Sequence, residues 1–176
     1  MARIQPLEYA HASTPARAEF EQQIQQHGRM TNMKRTLAHS LPALHALMEW
    51  YPLRDEVAGF LGDRTTTLFA HAISAQSDCL ICSTFFRRLL IDAGENPDGL
   101  EIGERAAVIV EFGRQLVKDA NNVSDELYGR LAQQLTPSQI VTLTAFGALM
   151  IATNLFNNAL RVDLDDYLAS YQAGVR

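Results

Sequence analysis

Two cysteines in 176 residues are too few for the disulfide framework that holds small secreted domains together. Charge of one sign is also scarce as blocks. The 15 basic and 20 acidic residues give a formal net charge of -5, and the scattered basic residues form no stripe suited to a nucleic-acid backbone or an anionic membrane. No G-x-G-x-x-G, Walker loop or G-x-S-x-G occurs, so nucleotide binding and serine hydrolysis have no support. No segment alternates strictly between apolar and polar with turn pairs at its ends, so no strand is expected. The first twenty residues lack an apolar run followed by a small-residue cleavage site, which excludes a secretory signal there and makes the cytoplasm the expected compartment. The longest nearly apolar run, Leu143 to Phe156, contains Thr144, Thr153 and Asn154. It is shorter than the roughly 20 residues of a bilayer span and is expected to be a core helix.

What remains is an ordinary soluble composition, 47% apolar and 20% charged, in a length that suits a single domain over residues 1–176. Residues 1–12 have no stable period and are expected to form an arm lying on the domain or on a neighbouring subunit. A first helix follows Ser13-Thr14, with Pro15 at its favoured first position, and ends near Gly28. Apolar residues then recur at three and four, and Pro42 and Pro52 divide them into helices at about 31–39, 42–50 and 52–61. Further helices are expected at about 64–75, 78–93 and 102–120. Ser124 caps a short one to about 134, and Thr136-Pro137 opens a long one to about 160. A short helix can follow between Val162 and Tyr171. The helix ending near Leu160 is apolar nearly all round and should be central or shared between subunits. The fold class is all-α.

The two cysteines are Cys79 and Cys82, a C-x-x-C at the start of the helix near 78–93. Ser77 and Asp78 offer capping oxygens to its free amides. A spacing of three puts both thiols on one helical face, within reach of a disulfide if the first turn adjusts. Free cysteine has a pKa of about 8.5, and a helix N-terminus stabilises an anion by roughly 0.3 to 1 kcal/mol. Asp78 acts in the opposite direction. The pair is competent as a redox couple, or it is two small residues filling a core corner. His71, on the preceding helix, either shuttles protons for Cys82 or is a partly buried histidine bonded to a carbonyl. A zinc site from His71, Cys79 and Cys82 would have three ligands and no second motif, so no metal and no cofactor is expected. His11, His27, His39 and His45 read as surface or turn residues, Phe85 and Phe86 as core, and Arg87 and Arg88 as an ion-paired edge. Asn154, Asn157 and Asn158 either line a pocket or, as favoured here, satisfy a subunit seam.

The cysteine stretch AHAISAQSDCLICSTFFRRLL (residues 70–90), together with RIQPLEYA (3–10), KRTLAHSLPALHAL (34–47) and LTPSQIVTLTAFGALMIATNLFNNALRVDLDD (135–166), resembles the alkylhydroperoxidase D-like branch of the carboxymuconolactone decarboxylase superfamily. The resemblance implies a single-domain helical bundle with the C-x-x-C at a helix N-terminus. It also implies a peroxidase or disulfide oxidoreductase in which Cys82 attacks a peroxide and Cys79 resolves it, and a lipoyl or other dithiol reductant that closes the cycle. Relatives suggest homo-oligomers, trimers or hexamers, without nucleic-acid or membrane partners. They carry a glutamate twelve residues before the first cysteine and a histidine four after the second; here those places hold Thr67 and Phe86. The alternative is a non-catalytic or redox-responsive oligomer of the same fold. Lactone or small-acid chemistry of the decarboxylase type is an analogy of fold alone.

Overall fold

The computed structural model describes residues 1–174. Its regular elements, among the described residues, are all helical. Helix α1 (Thr14–His27) starts at Ser13, whose hydroxyl accepts from the Ala16 amide, and stops at Gly28, which turns left-handed at φ 80. Short helices α2 (Asn32–Leu37) and α3 (Leu41–Met48) lead into α4 (Trp50–Leu61). Pro42 and Pro52 lie in the first turns of α3 and α4, where a missing amide donor costs nothing. Then come α5 (Asp63–Gln76), α6 (Leu80–Asp92), α7 (Glu104–Asp119), α8 (Asp125–Ala132) and α9 (Pro137–Leu160). Helix α9 opens with a full capping box between Thr136 and Gln139. A 3-10 turn over Asp166–Tyr171 stands where a short last helix is expected. The N-terminal arm lies on the bundle, with the Arg3 amide donating to the Leu160 carbonyl and the Leu7 amide to that of Arg35.

The centre of the bundle is α5, which packs against α4, α6, α7 and α9 and buries Leu68, Phe69, Ala70, Ala72 and Ile73 on several sides at once. Phe69 is fully buried and stacks with Phe112 of α7 and Phe146 of α9, at ring separations of 6.5 and 6.0 Å. Two glycines allow this close approach. A Cβ on Gly113 would stand 2.9 Å from the Phe69 ring, and one on Gly147 would stand 2.8 Å from Leu116 and 3.0 Å from Phe69.

For α9 the sequence expectation is a helix that is either central or shared between subunits, and within this chain it is α5 that holds the centre. Helix α9 buries one stripe, including Leu143, Phe146, Met150 and Asn157, and leaves Val141 and Leu155 69% and 63% exposed on the opposite side. The helix is 24 residues long and contains an 18-residue stretch of mean hydropathy 1.6, the length and composition of a membrane span, so shortness does not exclude one. What makes α9 a core helix is its buried stripe against α4 and α5. Overpacking a tight core costs about 1–3 kcal/mol. Gly113→Val is therefore expected to lower the urea midpoint with an unchanged slope, while Gly59→Ala, on the exposed side of α4 with nothing within 4 Å, does not lower it.

Candidate thiol site

The turn between α5 and α6 positions the thiols. The last carbonyls of α5 are taken by the amides that follow it: Ser77 to Ile73, Asp78 to Ala75 and Cys79 to Ser74. Asp78 sits in the left-handed region at φ 49, a conformation that aspartate tolerates better than most residues, and this reverses the chain within two residues. Cys79 is then extended and becomes the N-cap of α6. The expected caps, Ser77 and Asp78, do not serve: Ser77 ends α5, its hydroxyl oxygen is buried without a partner, and neither side chain caps α6.

Cys79 and Cys82 are free and buried, 3.7 Å apart. Over them lies Asn157, from the last turns of α9. Its side-chain amide donates to Cys82 Sγ at 3.4 Å, and stands 3.9 Å from Cys79 Sγ and 3.5 Å from Met33 Sδ. The neighbouring Asn158 amide donates to the Ser77 carbonyl at 2.9 Å, which ties the end of α9 to the same turn. Asn154 and Asn157 are therefore interior groups rather than parts of a subunit seam, both being buried within the chain.

The pair holds a proton unequally. Cys79 is lowered to about 7, first by the hydrogen bond from Cys82; burial opposes this, and the backbone amides of Cys82 and Ile81 and the Asn157 side chain assist it. Cys82 is pushed well above the ordinary range, first by that same hydrogen bond to Cys79, then by burial and by the negative charge on Cys79. Of the two sulfurs, Cys79 is the favoured site for a negative charge. The N-cap position of Cys79 adds to the asymmetry, since the free amides of the first turn favour an anion there.

Only Cys82 of the two lines the apolar cavity of about 100 Å³ beside α6, a size suited to one small organic group. Trp50, Phe85, Phe86, Met150 and Lys34 share its wall. Phe86, at the place the resemblance gives to histidine, is a buried wall residue 6.2 Å from the Trp50 ring. Thr67 lies on α5, half-buried, and is not part of that wall.

His71 lies on α5 among charged groups: its pKa is lowered, first by burial and then by the charges of Arg87 and Arg114, with Asp98 opposing. Arg87 grips Asp98 in a two-pronged pair at 2.7 and 2.6 Å, and Arg88 pairs with Asp92 at 3.6 Å, so both are the ion-paired edge the sequence suggests. No group of three metal-ligating side chains occurs among the described residues.

The site gains two residues that its sequence reading did not assign to it. Asn157 stands against both thiols, and Lys34 shares the cavity wall with Cys82. An asparagine at a helix end gave only an ambiguous signal, and a lysine on a short helix gave none.

No protein-family model matches the chain, and no curated protein does. Among solved structures, it is similar to an uncharacterized peroxidase-related protein from Ralstonia eutropha JMP134, described as an alkylhydroperoxidase AhpD core. That match has a TM-score of 0.79 and 19% identity, over 96% of this chain and 95% of the other. An uncharacterized peroxidase-related protein from Silicibacter sp. TM1040 matches with a TM-score of 0.70 and 16% identity, over 98% and 96% of the two chains. At these identities the likeness is one of architecture, and it covers the bundle from end to end: this chain has the alkylhydroperoxidase D-like fold.

Proposed function

We propose that the protein is a thiol peroxidase in which Cys82 attacks and Cys79 is both its base and its resolving thiol. The observation that carries this reading is the pair itself: two free thiols 3.7 Å apart, of which only Cys82 faces the cavity. A nucleophile normally needs a neighbouring base, and the glutamate and histidine of the family pattern are replaced by Thr67 and Phe86. Cys79 fills that role: it is the adjoining sulfur, and its pKa is lowered while that of Cys82 is raised.

In the oxidative half, the Cys82 sulfur bonds to one peroxide oxygen as the O–O bond breaks and its own proton passes to Cys79. That proton then goes to the departing alkoxide, leaving Cys82 as a sulfenic acid and Cys79 again a thiolate. The Cys79 sulfur next attacks the Cys82 sulfur; the hydroxyl leaves with one proton from solvent as water, and a disulfide joins the pair. A dithiol reductant, a lipoyl group or a similar one, is oxidised to its own disulfide while returning two electrons. The net change is hydroperoxide plus dithiol to alcohol, water and disulfide. Asn157 stabilises sulfur anions throughout by donating its amide hydrogens.

The exposed Val141 and Leu155 on the outer side of α9 support self-association; trimers or hexamers are what the family resemblance suggests, and the cytoplasm is the proposed compartment.

Reduced protein mixed with one equivalent of hydrogen peroxide is expected to lose both thiols and to gain a Cys79–Cys82 disulfide by mass spectrometry. Cys79→Ser should stop at a Cys82 sulfenic acid that dimedone traps, and Cys82→Ser should consume no peroxide. Consumption that survives in Cys82→Ser, or thiols that do not respond to peroxide at all, would sink the reading; the latter is the outcome for an inert, structural pair. Because the base must be deprotonated, the rate of Cys82 oxidation should rise with pH through about 7. Asn157→Ala removes an anion-stabilising donor and is expected to move that midpoint upward by about one unit, or about 1.4 kcal/mol.

A further inference from the structure

Lys34 is the only lysine, arginine, aspartate or glutamate in the buried class among the described residues, at 3% exposure. It is held there by α2, whose first turn is capped by the Thr31 hydroxyl accepting from the Lys34 amide. Its ammonium makes no ion pair among the described residues. It lies over the face of the Tyr51 ring, 5.0 Å from the centroid. A buried ammonium without a counter-charge is costly, and burial alone lowers the Lys34 pKa to about 8, which still leaves it mostly charged at neutral pH.

The other polar groups of the cavity wall are already engaged. The Asp165 carboxylate accepts from the Asn32 amide at 2.9 Å; burial raises its pKa, against that hydrogen bond and the charges of Arg35 and Arg29. Tyr167 lies under the Arg29 guanidinium at 3.9 Å and near that of Arg88 at 5.4 Å. Tyr51 is stacked on His27 with 3.4 Å between ring centroids, and burial pushes its hydroxyl up to about 12. His27 is itself lowered, first by burial and then by the Lys34 charge. Lys34 is the one cation on this wall, which it shares with the Asp165 carboxylate, with the apolar Trp50, Phe85, Phe86 and Met150, and with Cys82.

We propose that this cavity binds small organic anions, with a carboxylate paired to Lys34 and a compact apolar body against the aromatic and methionine wall beside Cys82. Where the peroxidase reading above holds, on which this extension to a substrate class rests, the substrate is a hydroperoxide that carries an acid group. The anion site itself does not require thiol chemistry.

The test separates the two. Cys82→Ser, which cannot react with peroxide on the reading above, is titrated with benzoate and with benzyl alcohol, which share a ring but not a charge. Benzoate is expected to bind at least about tenfold more tightly, as a charge-assisted contact in a dry site should. In Cys82→Ser carrying Lys34→Met, and in the same background carrying Lys34→Gln, the preference should vanish while benzyl alcohol still binds. Equal affinity for the two probes, a benzoate preference that persists without Lys34, or no binding of either would overturn the proposal. A benzoate preference found together with thiols inert to peroxide would sink the peroxidase reading alone.

The Lys34→Met change should also be tolerated by the fold. The lysine pKa is lowered on folding from 10.5 to about 8, so the unfolded chain binds the proton more tightly. The cost of burying it is full below about 8 and fades as pH rises towards the unfolded value. Lys34→Met is thus expected to raise the melting temperature over wild type more at pH 7 than at pH 10; a gain independent of pH would show that Lys34 is not a buried charge.

Discussion

The approach of α7 and α9 to the two sides of Phe69 is the constraint from which the rest of the bundle follows. Gly113 and Gly147 remove the side chains that would hold those helices away, and Phe69 fills the space between Phe112 and Phe146. Once α9 is seated at Gly147, its stripe of buried residues continues three turns onward to Asn157. Dense packing transmits that placement with little slack. A displacement of α9 would therefore be felt at the thiols, far along the helix from the glycine.

Two charges placed in an apolar region give the site its character, and they are treated differently. The anion on Cys79 is surrounded by donors: the Cys82 thiol, two backbone amides and Asn157. Hydrogen bonds of this kind favour the charged form against burial. The cation on Lys34 lies over the Tyr51 ring, and burial lowers its pKa with nothing to oppose it. One charge is satisfied within the chain and the other is not, which is why the first fits internal chemistry and the second a ligand from outside.

The departures at Thr67 and Phe86 also take on a different meaning beside the thiol geometry. In a site that relied on a histidine after the second cysteine, a phenylalanine would remove the base. Here the ring belongs to the wall of an apolar cavity, and the acid–base work on the proposed mechanism stays between two sulfurs 3.7 Å apart. A dry wall beside a buried thiol strengthens the electrostatic coupling between those sulfurs.

Much of the architecture was written locally. Ser13, Pro15 and Gly28 bound α1, Thr136 and Gln139 open α9, and the spacing of apolar residues places the helices between, because caps and periodicity act over a few residues. The C-x-x-C at a helix start is equally local, although its cap is Cys79 itself and not Ser77 or Asp78, a choice made by the left-handed turn at Asp78. What only the tertiary structure decided is which helix is central and what surrounds the sulfurs. The periodicity of α9 does not reveal that α5 is enclosed on more sides. Spacing along one helix likewise set His71 near the cysteines, while folding brought Asn157 from 75 positions away to Cys82 and set Lys34 on the same cavity wall. Those neighbours are fixed by how helices pack across the bundle, and no pattern confined to one helix records that.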